Sequence, residues 1–504
     1  IWVIEKKAAL SLDQILMGKQ QRIIFGGQSN PRRALDQSSE RTVNWYPVEG
    51  PKDAQGNPSI FLYPTEGLTL FSSDAGGAIR GSHVVGNVYF FVVGQSLKTI
   101  DATGTITTLG TINTSGGAVR FADIFDQVML VDGLDGWIYT ISTGVFTQIV
   151  DPDFPNNVEQ VAALGGYFIV TVPLSQSYAI SNLSNGLSWD AIDTQEAQYD
   201  SDQLIACVNY LDVLWLFGER TIEQHVNEGN VDFPFTPRLG TSINYGLKAI
   251  DSIAKTGMND STQPTMCWLG TSARGGVIPL TMDSYGAVRP IFNPGIIEEM
   301  NTFEVTSDAY GFIYQRDDHT FYVLGFPTQN KTYVYDLTNG LSHERESYNS
   351  NTLSYDRWLP NFYANLGGQQ YVADFRTGYI YSLEPRVYTE AGTLIRRKRR
   401  IPIFKENFTY KSINSLWILF NLGAALESGQ GSDPQAMLRI SRDGGRTFGA
   451  EMWRNIGTLG EFADMGRWDL LGTARKWCAE LTVTDPIEWK VLDSFMDFDD
   501  EENQ

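Results

Sequence analysis

From about residue 60 to 385 the chain repeats one loose pattern: an apolar run, a tight polar turn, then a second run rich in aromatic or β-branched residues. Val88-Tyr89-Phe90-Phe91-Val92-Val93 turns at Gly94-Gln95-Ser96 into Leu97-Lys98-Thr99-Ile100. Val128-Met129-Leu130-Val131 turns through Asp132-Gly133-Leu134-Asp135-Gly136 into Trp137-Ile138-Tyr139. Tyr167-Phe168-Ile169-Val170 leads to Tyr178-Ala179-Ile180, and Val213-Leu214-Trp215-Leu216-Phe217 turns at Gly218-Glu219-Arg220. Met266-Cys267-Trp268-Leu269, Phe321-Tyr322-Val323-Leu324 and Tyr371-Val372-Ala373 open three more such pairs. Asp-Gly and Gly-x turns between such runs are strong hairpin signals.

The hairpins begin about 40 to 55 residues apart, the spacing of four-stranded propeller blades. A small sheet that is apolar on both faces cannot bury both alone. Stacking such sheets around an axis buries them and leaves only short edges. The expected fold is all-β: a six- or seven-bladed β-propeller over 41–385, with a small β-sandwich-like domain at the C-terminus. A pair of β-sandwiches is the rival architecture.

The flanks read differently. Residues 1–40 are expected to form an arm, with a short helix from Ala8 to Met17, then an aperiodic stretch that orders by docking on something else. Residues 386–410 read as a basic linker containing Arg396-Arg397-Lys398-Arg399-Arg400. Residues 411–498 read as the C-terminal β domain, with strands at Leu416–Phe420, Met437–Ser441, Lys476–Val483 and Trp489–Leu492. Residues 499–504 read as a solvated acidic tail.

Composition narrows the function. Fifty-nine acidic against 38 basic residues give a formal charge of −21 over 504 residues. That balance argues against a protein that grips nucleic acid through a broad basic face. A hydrophobic fraction of 42% is enough for a sizeable core. Three cysteines, Cys207, Cys267 and Cys478, form no Cys-x-x-Cys pair, so neither a disulfide framework nor a zinc ribbon is expected, and folding in a reducing compartment is. No apolar run is long enough to span a membrane. The opening residues Ile1–Lys7 lack the charged-then-apolar order of a signal peptide, and the first residue is not Met.

Candidate chemistry is sparse. His83, His225, His319 and His343 are scattered and show no metal-ligand or Ser-His-Asp spacing. Asp317-Asp318-His319, beside Arg316, reads as a polar hairpin loop. Gly270–Gly276 is Gly-rich, but no Gly-Lys-Ser/Thr and no helical pattern follow, so it is no phosphate cradle. No catalytic residue, cofactor or metal site is expected.

Ser441-Arg442-Asp443-Gly444-Gly445-Arg446-Thr447-Phe448 resembles the Asp-box of sialidase-like propellers, a structural hairpin built on Ser441, Asp443, Gly445, Thr447 and Phe448. A glycosidase would also need two carboxyls roughly 5–10 Å apart at the axial mouth. The run Arg396, Arg397, Lys398, Arg399 and Arg400 fits a subunit or domain interface, a solvated linker, or a DNA contact. On a strand its residues alternate between faces, so not all five can reach one ligand.

Four segments together resemble the tail-hub proteins of short-tailed phages, also called packaged-DNA stabilisation proteins. They are Val43-Asn44-Trp45-Tyr46-Pro47-Val48-Glu49 with Leu62-Tyr63-Pro64-Thr65-Glu66-Gly67-Leu68; Trp215–Glu223; Tyr333-Val334-Tyr335-Asp336 with Asn339-Gly340; and Ser441–Phe448 through Trp453, Gly457 and Gly460 to Asp485-Pro486. Glu66 stands where the family commonly has proline. The resemblance spans about residues 40–495 and rests on the order of all four segments.

It implies a structural virion protein of the tail, made in the host bacterial cytoplasm. It implies a homo-hexameric nozzle below the portal or portal-adaptor ring, which holds tail spikes or fibres and a needle or plug. Genomic DNA would pass through its lumen without sequence-specific binding, and acidic walls would suit that passage. Deleting residues 1–35 would then weaken ring or portal docking more than subunit folding. The alternative is a carbohydrate-binding or sialidase-like propeller protein.

Overall fold

The computed structural model describes residues 19–34, 38–52, 58–73, 77–256, 264–272, 275–403, 409–422, 426–457 and 464–501. The helix expected at Ala8–Met17 lies outside the described residues. Among those described, strands dominate, with one seven-residue α-helix at Pro294–Met300 and a 3-10 turn at Ile250–Ser252.

The hairpins belong to small antiparallel sheets that follow one another along the chain. Sheets over 79–111, 120–148, 161–196 and 204–237 have four strands each, and the sheet over 246–290 has five. Two more, over 310–344 and 360–384, join larger sheets. The innermost strands of the first four, Ile79–Val85, Arg120–Ile124, Val161–Leu164 and Leu204–Tyr210, touch in series. Ala254–Lys255 then meets Tyr310–Arg316, and Pro360–Leu366 meets both Tyr310–Arg316 and Ile79–Val85, which closes the ring.

Period-2 alternation explains the stacking. In Gln127–Val131, Val128 and Leu130 pack back against Phe90, Val92 and Leu97 of the preceding sheet. Met129 and Val131 pack forward against Phe168 and Val170 of the next. The same division recurs around the ring, ending where Tyr371 and Ala373 of the last sheet meet Tyr89 and Phe91 of the first. Each large apolar side chain so enclosed contributes roughly 1.5–3 kcal/mol.

Closure is non-local. Gly67–Ser72 runs antiparallel to Ile380–Glu384, so a strand from before the first blade completes the last one. Gly67 is needed there, because a Cβ would meet the Val387 carbonyl oxygen at 2.5 Å.

The second unit is a sandwich. One sheet runs Asp464–Ala474, Tyr410–Leu422, Trp489–Glu501, Pro58–Pro64, Trp45–Lys52, and Lys19–Ile23 adds to Trp489–Glu501. The facing sheet runs Ser39–Val43, Arg397–Pro402, Cys478–Val483, Gln435–Ser441, Met452–Asn455. Trp45, Leu416, Phe420 and Trp489 of the first meet Leu438, Ala479 and Leu481 of the second in one core.

Three boundary expectations change. Residues 41–64 build the sandwich rather than the propeller, because Trp45–Lys52 and Pro58–Pro64 supply two strands of its first sheet. Residues 386–410 are not simply a linker: Arg397–Pro402 is an inner strand, paired with Ser39–Val43 and Cys478–Val483. The acidic tail begins as strand, since Trp489–Glu501 stays paired with Tyr410–Leu422 as far as Glu501. The described part of the arm docks on this same chain. Phe25 lies in the sandwich core, and Ser494 Oγ donates to the Ile23 carbonyl at 2.7 Å. The two units are continuous, because Val43 pairs with Glu344 and joins the sixth propeller sheet to the sandwich.

Candidate functional site

The innermost strands surround an axial cavity of about 760 Å³. Its charged walls are largely tied to one another. His83 Nε2 lies 2.6 Å from Asp123 Oδ1, and Arg120 donates to both oxygens of Asp251 at 2.7 and 2.9 Å. Lys255 Nζ donates to the Asn209 carbonyl at 2.5 Å, and Asp308 Oδ2 accepts from Thr328 N at 2.8 Å. The pairs His83–Asp123 and Lys255–Asn209 tie inner strands to one another and Asp251 is held by Arg120, whereas Asp308 keeps one buried oxygen, Oδ1, without a hydrogen-bond partner. No group of three or more His, Cys, Asp or Glu able to hold a metal occurs among the described residues.

The densest chemistry lies where the propeller meets the sandwich. Glu66, just before the closure strand, is almost fully buried and pairs with Arg345 and, at 3.0 Å, with Arg316. Tyr314 donates to it at 3.1 Å, and Arg345 Nη2 reaches its carbonyl at 3.1 Å. Burial pushes the Glu66 carboxyl up, but the two guanidiniums outweigh burial and hold it at about 2. Arg345 also stacks 3.6 Å over Trp358, whose Nε1 donates to Glu390 at 3.0 Å. Burial pushes the Glu390 carboxyl up to about 7. Nearby, Arg41 bridges Glu344 and Glu299 at 2.7 Å each, tying a sandwich strand to the propeller.

The run Arg396–Arg400 alternates as a strand must, and its members go to different places. Arg396 pairs with Glu346 at 2.6 Å and stacks 3.4 Å over Tyr355. Arg399 is buried and reaches the carbonyls of Phe25 and Gln28, Thr42 Oγ1 and Glu40. Arg400 pairs with Glu480 at 2.5 Å. Burial lowers the Lys398 ammonium. Arg397 is buried between Tyr388 and the Glu66 group. The run therefore holds the chain's own parts together, and it forms no single patch.

The Ser441–Phe448 turn folds around Asp443. Asp443 Oδ1 accepts from Ser441 Oγ, Arg446 N and Thr447 N at 2.7, 2.9 and 2.9 Å. Thr447 Oγ1 reaches Oδ2 at 2.5 Å, and Gly445 N reaches Ser441 Oγ at 2.8 Å. These hydrogen bonds, led by those from Thr447 and Ser441, hold the Asp443 carboxyl far below the usual range. Gly445 takes φ +92, and Phe448 lies under Arg400 at 4.7 Å. The turn is a closed hairpin device.

The remaining histidines are structural. His225 Nδ1 meets the Tyr178 hydroxyl at 2.9 Å, and His319 Nδ1 meets Asp336 at 2.5 Å, which raises the imidazole. His343 is fully enclosed, and burial lowers it to about 3. Glu66, Arg345, Trp358 and Glu390 escaped sequence reasoning. The one available signal was an acidic residue at position 66, in a motif that otherwise favours proline.

Large apolar side chains remain exposed at the blade tips. Strand directions alternate, so loops between second and third strands, and between one blade and the next, share a face. Val150, Leu174 and Leu239 protrude there, while Phe125, Val231 and Tyr285 protrude from the opposite face. Phe125 and Leu174 do so with φ +41 and +57, backbone that bulky residues rarely adopt.

A closed ring of small sheets, with its polar groups spent on holding strands and units together, defines a structural β-propeller protein. The phage stabilisation family, described as Bacteriophage P22 Gp10, beta-propeller, matches residues 20–388, and the chain belongs to it. That family is structural rather than enzymatic, so the chain has a structural role in a phage virion, assembled with other phage proteins. No helix among the described residues is long and apolar enough to cross a membrane.

No curated protein matches. Among solved structures, virginiamycin B lyase from Staphylococcus aureus is similar at 13% identity and a TM-score of 0.42, over 64% of this chain and 99% of that one. The computationally designed Ika8 protein is similar at 9% identity and a TM-score of 0.38, over 63% and 100%. The Pan2 WD40 domain of Neurospora crassa is similar at 10% identity and a TM-score of 0.41, over 63% and 96%.

Proposed function

We propose that the chain is the subunit of a tail nozzle, a homo-hexameric ring below the portal or its adaptor. The ring retains packaged DNA, forms the ejection passage, and seats spikes, fibres or a plug. The observation that carries this reading is the match to the phage stabilisation family along residues 20–388.

Four features support it. The ring of sheets is closed by the chain's own strand, so the propeller needs no partner to complete it. Exposed apolar side chains such as Leu174 and Tyr285, on opposite faces, suit contacts with other virion proteins. A charge of −21 per subunit suits a passage through which phosphate moves without being bound. Synthesis in a reducing bacterial cytoplasm agrees with three buried free cysteines.

The test is the mass of the purified chain in solution, alone and mixed with its cognate portal. Six-fold assembly that requires the portal is expected. A chain that ignores the portal, and whose melting temperature rises with a free sugar, would overturn the nozzle and favour a carbohydrate-binding role.

A further inference from the structure

The outer rim of the sheet over 161–196 exposes a group of large apolar side chains. Its last strand, Asn185–Glu196, is the open edge of that sheet. Register shifts against Ser177–Asn182 bulge this strand, between Ala179 and Ser181 and again between Ser181 and Asn182, which disfavours extension of the sheet by a further strand. Ile192, in the bulge, is 81% exposed. Val150, 83% exposed, precedes Asp151, whose Oδ2 accepts from Trp189 N of the same strand at 3.0 Å. Tyr199 follows the strand and is 58% exposed. The turn that carries exposed Leu174 adjoins it, where the Gln176 carbonyl accepts from Ala197 N at 3.0 Å. These four side chains follow one strip along the rim, and exposed apolar groups gathered in this way mark a contact surface.

Charge selects what covers the strip. Between Arg120 and Arg220 the chain has fourteen Asp and Glu and no Lys, Arg or His. Asp153, Asp190, Asp193, Glu196 and Asp200 border the strip. Among the described residues one cation pairs with any of these five: Arg220, 3.8 Å from Asp200. Burial and the neighbouring Asp190 carboxylate push the Asp193 carboxyl up, as like charges held together do. Such a border repels nucleic acid and anionic lipid and attracts a cationic polypeptide. A second copy fits it poorly. That copy also carries −21, and its densest basic run, Arg396–Arg400, is engaged within its own chain.

We propose that this rim docks a lysine- and arginine-rich segment of another virion protein, whose apolar side chains cover Val150 and Ile192 and whose cations meet the bordering carboxylates. The apolar strip supplies the desolvated centre of the contact, and the carboxylates set the rate of encounter and the choice of partner. Docking needs the chain's place in a virion but not the hexameric ring, so a chain that stays monomeric in solution leaves it standing.

Purified virions are treated with a water-soluble carbodiimide, which joins a carboxyl to a contacting lysine amine as an amide. Chymotryptic peptides are then read by mass spectrometry, since trypsin has no site between Arg120 and Arg220. Amides from Asp153, Asp190 or Glu196 to lysines of a different virion protein are expected. Amides to lysines of a second copy place the rim between copies and overturn the proposal. Absence of any such amide overturns it as well, whether added glycinamide caps these carboxyls or not. On the isolated full-length chain, a labelled peptide of alternating lysine and leucine serves as the probe. The variant Asp153→Asn, Ile192→Ser, Glu196→Gln changes exposed side chains only and should bind it about tenfold more weakly. Asp318→Asn with Glu451→Gln removes the same charge from exposed sites elsewhere and should weaken it less than about twofold. Equal weakening in both variants means diffuse attraction to an acidic chain and overturns the proposal.

Discussion

Glu66 shows how much one residue can carry when its charge is buried. Its carboxylate is shared by Arg345 and Arg316 and is also bonded by Tyr314. Removing one member of a buried ion group leaves the others uncompensated, which costs about 3–5 kcal/mol. Glu66→Ala should therefore lower the stability of the full chain by about that amount, and calorimetry of the variant checks it. A surface pair such as Arg467 and Asp469, 2.7 Å apart, provides the contrast, because exposed pairs contribute about 0–1 kcal/mol. Glu390 predicts a pH effect of definite sign. Its folded value is raised from 4.5 to about 7, so the folded state holds the proton more tightly than the unfolded chain. The stability this confers is complete below pH 4.5 and is lost as pH rises through about 7. The lost contribution is ~3 kcal/mol. His319, raised by Asp336, acts in the same direction. Glu390→Gln should flatten the fall in melting temperature across this range without abolishing it. An unchanged slope would remove Glu390 as its source.

At the scale of elements, the strand Lys19–Ile23 and the segment after it change what the amino-terminal region does. The arm was expected to serve neighbours. Instead Phe25 fills the sandwich core, the carbonyls of Phe25 and Gln28 accept from buried Arg399, and Ser29 Oγ donates to Glu344 at 2.8 Å. Deleting residues 1–35 should therefore broaden and lower the thermal transition of the isolated subunit, read by circular dichroism. A native melt in that deletion would mean that the region serves assembly alone. The same elements show what was legible in the chain. The blade hairpins were, because both-faced apolar alternation and Gly-containing turns are local signals. The alternation of Arg396–Arg400 was also legible, because successive residues of a strand face opposite sides. The closure strand Gly67–Ser72 was not, since its partner Ile380–Glu384 lies some three hundred residues away and β pairing leaves no mark of register in one strand alone. Nor was the debt of the sandwich to residues 19–64. Local pattern identifies Trp45–Lys52 as a strand but cannot say which sheet receives it.

At the scale of the molecule, the propeller and the sandwich are two layers of one folding unit. Backbone pairing between Val43 and Glu344 makes one sheet run through both. Arg41 from the sandwich side neutralises Glu344 and Glu299 on the propeller side. Tyr46, from a sandwich strand, packs against Phe321 in the core between the sixth and seventh sheets, with ring centroids 5.4 Å apart. Cutting the chain into a propeller piece over 65–385 and the remainder would leave Glu344 buried without Arg41, remove Glu390 from Trp358, and open the core around Tyr46. Each of the first two losses strands a buried polar group at about 1–3 kcal/mol or more. Together, at about 2–6 kcal/mol, they are a large share of the stability of an ordinary domain, about 5–15 kcal/mol. The full chain should therefore unfold in one calorimetric transition, and the 65–385 piece should melt well below it or fail to fold. Two separated transitions in the full chain would instead mean that the junction adds little, and that the sandwich can detach while the propeller stays folded. A structural subunit of a virion is served by the first outcome, because a load applied to either unit then reaches the other through paired strands and buried charge.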